Sequence, residues 1–387
     1  MKKMVSLLIS LCLCLSLALP ALGEGENPLD EGIRASFKRM KTSGGMVVAA
    51  KDGEIVYSYC YGFSDKFSKD MVTPDTYFRI ASVSKLVSAV TIMRMVDAGL
   101  LDLDENLGTY LGDPAYVAAN PYFPKIPLTT RHLMTHTSSL SSKGGFTKHR
   151  ALSLMLDVSN KRKSDFHNEE PGSVYRYSNY GAGILGCLME AIVGKRINEV
   201  AKEMTFDPLG IDAAYHPTLV QHPEKIATTY ETDGSIAITR SLRLKEEYPE
   251  KIDVDHDYNE TYGSVWMKGE DLCRIGIMLC EGGKLDGQQF LKPETVAEMI
   301  ASQQGRGYVT VDSPYGLNVE RVSNLVQGRM FYGHQGLSEA ILCNLYFDPE
   351  SHFVFALVTN GCKSAKNDRI GVLTRSLFEQ LWAAYGQ

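Results

Sequence analysis

Paired cysteines, surplus positive charge and long apolar runs are all scarce in this chain of 387 residues. Its eight cysteines form no Cys-x-x-Cys and no Cys/His cluster at zinc spacing, which argues against a structural zinc site or a dithiol redox centre. Most of Cys60, Cys187, Cys273, Cys280, Cys343 and Cys362 read as small core residues, with Cys273 and Cys280 seven apart on one helix face. A chain this long buries a core without cross-links, so no essential disulfide is expected. Basic residues number 40 against 46 acidic, a net charge of −6. That balance offers no basic face for nucleic acid. Beyond the N-terminus no apolar run approaches bilayer length. No internal repeat or low-complexity linker marks a domain boundary.

What is present begins with MKKMVSLLISLCLCLSLALPALG. Two lysines, an apolar run and the small residues Ala21 and Gly23 have the form of a secretory signal peptide over 1–23. Cys12 and Cys14 sit inside the apolar run rather than in a lipid-attachment context. The expected location is secreted, periplasmic or cell-surface, with no stable membrane span after cleavage.

The mature chain, 24–387, opens with an amphipathic helix at 29–41. Residues 45–63 read as a β-hairpin turning at Lys51-Asp52-Gly53-Glu54. Two more strands flank Asp348-Pro349-Glu350-Ser351 within 338–361, and a last helix covers about 368–385. Strands at both ends and helical patterns between them predict an α/β (α+β) fold. One antiparallel sheet is built from both termini, about 28–80 and 310–387, and flanked by helices. A mainly helical part, about 82–300, is inserted beside it.

Chemistry enters at FRIASVSKLVSAV (78–90). From Ser82 the apolar residues run almost all round a helix that stops near Gly99. Ser82 and Lys85, three apart, share a face. Desolvation favours neutral Lys85, making it a proton acceptor able to activate the Ser82 hydroxyl. The Ser82 N–H, at the helix start, is free to bind an oxyanion. Alternatively Ser82 caps the helix and Lys85 snorkels outward; the pattern alone leaves both readings open. Downstream, Tyr177 and Asn179 are two apart in a loop after Pro171-Gly172, so they point the same way. A phenol beside the Lys85 ammonium has its ionised form favoured and could relay protons. The plain alternative is a packed tyrosine and an asparagine helix cap. Gly333-His334-Gln335-Gly336 reads as a loop leading straight into a strand, with glycines that let a ligand approach backbone.

Together these segments resemble the serine β-lactamase and penicillin-binding superfamily, in the class C β-lactamase-like branch with D-alanyl-D-alanine peptidases and esterases. The ordered blocks PDTYFRIASVSK, DAGLLDLDENLGTYL, LTTRHLMTHTSSL, PGSVYRYSNYGAGILG and GSVWMKGEDLCRIG extend the likeness over nearly the whole mature chain. The resemblance implies a β-lactamase/transpeptidase-like fold and a serine hydrolase domain over 24–387. It implies Ser82 as the acylated nucleophile, with Lys85 and Tyr177 in proton transfer. Asn179, His334, Gln335 and Gly336 would line the substrate, and the N–H groups of Ser82 and Leu337 would form the oxyanion hole. No cofactor or metal is implied. Substrates would be an ester, an amide or a D-amino-acid peptide, with cell-wall peptide or a β-lactam among the candidate partners. The alternatives are a penicillin- or cell-wall-peptide-binding protein with little turnover, and a weak β-lactamase. The family's third motif often starts with Lys; His334, mostly neutral near pH 7, shifts the expectation away from carboxylate-bearing substrates. Gln335 is expected to add bulk beside the nucleophile.

Three other signals are set aside. His132 and His136 have zincin spacing, but residue 133 is Leu rather than the required Glu, and a structural turn is expected there. Gly336-Leu337-Ser338-Glu339-Ala340 lacks the second glycine of a nucleophile elbow. Lys161-Arg162-Lys163 reads as a solvated loop.

Overall fold

The structure, a computed structural model, describes residues 27–112, 118–141, 151–156, 163–258, 260–303, 315–363, 366–367 and 370–387. The leader expected at 1–23, together with Lys161 and Arg162, lies outside the described residues.

Helix α1 (Pro28–Arg39) has Asn27 as its cap, proline in its first turn, Asp30 and Glu31 near its start and Lys38 and Arg39 at its end. Each suits the partial charge at its end of the helix. Strands β1 (Gly44–Lys51) and β2 (Glu54–Asp65) form the expected hairpin. Asp52 and Gly53 both take left-handed φ values, 51° and 84°, matching the turn that suits twisted strands. A short β3 (Asp70–Met71) borders β2. Helices α2 (Ser84–Asp97), α3 (Asn179–Val193) and α4 (Gly269–Cys280) dominate the middle of the chain. Strands β4 (Glu320–Val322), β5 (Phe331–Ser338), β6 (Ile341–Asp348) and β7 (Phe353–Thr359) follow, and α5 (Val372–Tyr385) closes the chain.

The seven strands form one sheet in the order β4-β5-β6-β7-β1-β2-β3. Every neighbouring pair is antiparallel. The β7–β1 ladder, from Gly45 opposite Thr359 to Lys51 opposite Phe353, joins the two ends of the chain. The sheet built from both termini is thus observed. One difference concerns the third motif. His334-Gln335-Gly336 lies inside β5, not in a loop before a strand; the chain turns only at Glu339, with φ 51°.

The pleat divides the core. Val47, Ala49, Phe353, Phe355 and Leu357 pack with α1 and α5 on one face. Met46, Val48, Ala50, Leu345, Val354, Ala356 and Val358 turn to the other, where α4 and α2 pack. Because both faces are covered, these strands read as continuous apolar runs. Helix α4 lies so close that a Cβ on Gly276 would come 2.5 Å from Val354 Cγ1 and 2.7 Å from Leu345 Cδ1. Every residue of α2 from Ser84 to Met93 is buried, as its apolar circumference requires. Its hydroxyls are bonded internally: Ser88 Oγ lies 2.7 Å from Tyr215 Oη and Thr91 Oγ1 2.8 Å from Thr205 Oγ1. All six cysteines from Cys60 onward are free thiols. Among the described residues no helix is long and apolar enough to cross a membrane.

Phe378 of α5 sits edge-on to Phe331, Phe353 and Phe355 and stacks on Trp382. Phe378→Ala should therefore lower stability by about 3–5 kcal/mol, read as a reduced midpoint in urea unfolding.

Candidate active site

Ser82 lies in a tight turn, Ala81–Val83, that feeds into α2 at Ser84. The segment before it is clamped on two sides. Phe78 and Arg79 pair with Met267 and Trp266, and Ile80 N donates to Val265 O at 2.9 Å. From the other side β5 presses in. A Cβ on Gly336 would collide with Ile80 O and lie 3.1 Å from Ser82 N. Only glycine permits that approach. Ala81, immediately before Ser82, is held at φ 47°, a conformation that disfavours non-glycine residues.

Lys85 does not snorkel; it is completely buried. Its Nζ donates to Tyr262 O at 2.7 Å and to Ser82 Oγ at 3.3 Å. It lies 4.9 Å from the centre of the Tyr177 ring and 5.6 Å from that of Tyr262. Burial pulls its pKa down to about 7, opposed by the nearby charge of Glu320. The lysine thus reaches its neutral, proton-accepting form near neutrality.

Tyr177 hydrogen-bonds Ser82. Its ionisation differs from expectation. Burial raises the phenol pKa well above its ordinary value, the Ser82 bond opposes this, and Glu320 adds to the rise. Desolvation outweighs any help from Lys85, so Tyr177 remains a neutral hydroxyl. Asn179 is the first residue of α3 and not its cap; Ser178 is the cap, accepting from Gly181 N at 3.0 Å. Asn179 Oδ1 is buried without a hydrogen-bond partner.

On β5, His334 and Gly336 share the face toward Lys85 and Tyr177, with the His334 ring 6.4 Å from that of Tyr177. His334 Nδ1 lies 2.6 Å from Gln335 O, so it carries the ring proton. Burial and the Lys85 charge push the imidazole pKa down to about 3. The same pleat turns the Gln335 side chain to the opposite face, which corrects the expectation of bulk beside Ser82. The backbone of Gln335 faces the open edge, donating its N–H to Glu320 Oε2 at 3.2 Å. N–H directions repeat every second residue along a strand, so Leu337 N–H faces that same edge. Leu342, opposite Leu337, instead exchanges its N–H and C=O with Thr359 Oγ1. β4 pairs only with Phe331–Gly333, leaving the Leu337 N–H beyond its end.

Sequence reading missed the supports. His136 is buried at φ 55°. Its carbonyl accepts from Arg176 N at 2.7 Å and its Nδ1 from Ser178 N at 3.3 Å. It therefore fixes the backbone on both sides of Tyr177, and its ring lies 4.4 Å from the Tyr177 ring. The expected structural turn is there, but it braces the site. The Thr-His-Thr stretch was a usable signal. His132 only completes a helix cap with Thr129. Tyr175 and Tyr315 pack on His136, and Glu320 left no local signal at all. Among the described residues no group of His, Cys, Asp and Glu is arranged to hold a metal.

A family model named Beta-lactamase matches residues 32–375, and the chain belongs to that family. It is a serine hydrolase of the β-lactamase family. It is 26% identical to esterase EstB of Burkholderia gladioli, over 83% of this chain and 90% of that one. A D-aminopeptidase of Brucella anthropi is 29% identical over 48% of this chain, but only 35% of its own length is covered. The octameric penicillin-binding protein homologue from Pyrococcus abyssi superposes with a TM-score of 0.68, at 20% identity. That match covers 92% of this chain and 77% of the other.

Holding an ammonium in this dry position opposes folding. Lys85 binds its proton less tightly folded than unfolded, so the penalty is complete below about pH 7 and fades as pH rises toward the ordinary lysine pKa of about 10.4. Lys85→Met should raise stability by about 1–4 kcal/mol at pH 6, with a smaller gain at pH 9. Urea unfolding of both proteins at the two pH values checks the sign.

Proposed function

We propose that the protein is a secreted hydrolase that forms a covalent acyl-enzyme on Ser82 and releases it to water. The observation that carries this is the buried Lys85 Nζ beside Ser82 Oγ, with its pKa pulled down to about 7. Neutral Lys85 takes the Ser82 proton as Oγ attacks the substrate carbonyl carbon. The N–H groups of Ser82 and Leu337 stabilise the resulting oxyanion. The neutral Tyr177 hydroxyl, bonded to Ser82, passes a proton to the leaving group and is replenished from Lys85. Water then attacks the acyl carbonyl, and the same groups work in reverse. Asn179 Oδ1, which has no hydrogen-bond partner in the protein, accepts from a substrate amide, and Gly336 keeps the strand close to the bound carbonyl.

The substrate is an ester, amide or D-amino-acid peptide without a required carboxylate contact, because neutral His334 supplies no fixed charge. EstB and the D-aminopeptidase support that range by name. The leader-like pattern of residues 1–23 supports secretion.

A fluorophosphonate should add one adduct mass to the wild type at Ser82. Ser82→Ala should take up none and lose at least about a thousandfold in p-nitrophenyl ester turnover. An unlabelled wild type without ester turnover would refute the reading. His334→Lys should raise kcat/KM for a D-Ala-D-Ala peptide relative to a neutral ester by about fivefold or more; an unchanged ratio would remove His334 from specificity.

A further inference from the structure

Three segments far apart in the sequence meet at the Ser82 turn, and one side chain ties them together. Arg79 stands on the strand that leads into that turn. Its Nε donates to Gly263 O at 2.9 Å, and its Nη1 lies 3.5 Å from the Glu339 carboxylate. Gly263 follows Tyr262, whose carbonyl receives Lys85 Nζ. Gly263 also lies against the residue before Ser82: a Cβ there would come 3.8 Å from the Ala81 carbonyl carbon. Glu339 follows the end of β5, two residues beyond Leu337. The guanidinium thus joins the strand of the nucleophile to the carbonyl that holds its base and to the strand that carries the second oxyanion donor.

The spacing between the Ser82 turn and β5 has a stop and a pull. The stop is steric. Gly336 already touches the turn, since a Cβ on it would collide with Ile80 O. Cys343, opposite Gly336 on β6, adds its thiol to Arg79 O at 3.6 Å. These contacts prevent closer approach but resist separation only weakly. The pull is the ion pair. Its side chains are 17% and 31% exposed, so solvent screens it only in part. Glu339 is the strongest of the charges acting on Arg79, ahead of Arg243 and Glu246. It draws in the turn at φ 51° that ends β5. The N–H of Leu337 is carried on the stretch between the Gly336 contact and this clasp.

We propose that Arg79 and Glu339 are positioning residues for the oxyanion hole, holding the Leu337 N–H at the separation from the Ser82 N–H that a tetrahedral adduct requires. This rests on the serine hydrolase reading and adds the pair that sets the spacing of its two donors.

Fluorophosphonate labelling run to completion counts competent Ser82 sites. Turnover of p-nitrophenyl acetate is then read per labelled site in the wild type, Arg79→Gln, Glu339→Gln and the double variant. In folded Glu339→Gln, kcat per site should fall about tenfold or more, with KM kept within about threefold. Phenylboronic acid, which forms a tetrahedral adduct on the serine oxygen, should inhibit that variant more weakly by a similar factor. A purely structural tie gives another pattern: fewer labelled sites or a lower Tm, with each site working at the wild-type rate. The double variant should lose no more than about twofold beyond the worse single variant, because either change opens the same clasp. Per-site kcat within about twofold of the wild type in folded Glu339→Gln overturns the proposal. Losses that multiply in the double variant also overturn it. Where Arg79→Gln does not fold, the Glu339 variant alone decides. Should Glu339→Gln not fold, Glu339→Asn decides by the same criteria, since asparagine tolerates a left-handed φ. A wild type neither labelled at Ser82 nor active on the ester refutes the serine hydrolase reading and this proposal with it. A labelled, active wild type beside an unimpaired Glu339→Gln removes the positioning role alone.

Discussion

The arrangement depends on one unfavourable act, the burial of the Lys85 side chain in the first turn of α2. An ammonium without water needs acceptors. The structure supplies the Tyr262 carbonyl, the Ser82 hydroxyl and the faces of two tyrosine rings. Those contacts are too few to restore full hydration, and the incomplete compensation leaves the group the lowered pKa that its proposed role as a base requires. A better solvated lysine would be more comfortable and chemically idle at neutral pH.

Everything around Lys85 keeps it in place. Its helix is buried from Ser84 to Met93, so it has no solvent-facing side to which the lysine could escape. The Tyr262 carbonyl follows Thr261, whose hydroxyl bonds Ala182 O on α3 at 2.7 Å. Close to this segment, Arg196 is surrounded by Glu190, Asp257 and Glu260, in a largely dry ionic knot. The knot fastens Asp257 and Glu260 to the end of α3 and thereby steadies the nearby carbonyl that receives the lysine. His136 does the same for Tyr177 by taking hydrogen bonds from the backbone on either side of it.

The sequence made the sheet and the burial of Lys85 beside Ser82 legible for physical reasons. Turn chemistry at Asp52-Gly53 and apolar runs at both ends define a two-sided sheet. A helix apolar all round predicts a buried Lys85. Residues whose part depends on contacts distant in sequence were not legible. Glu320 looks like any acid until β4 pairs with β5. His136 looks like half of a failed metal motif until its turn meets Arg176 and Ser178. The phenol of Tyr177 was misjudged because the sequence placed it beside a charge without revealing how dry it would be. Gln335 was misplaced because its stretch read as a loop, and only a strand imposes alternation.

Gly336 presses against the turn of Ser82, and the two N–H groups proposed for an oxyanion come from widely separated parts of the chain. Ser82, the proposed nucleophile, is synthesised early, whereas the strand that completes its surroundings is synthesised late. Until β5 docks, Ser82 is an ordinary serine with half a cradle. On the proposed mechanism, chemical competence is thus withheld from the nascent chain and acquired at final assembly, so turnover would report on completion of the fold as well as on substrate.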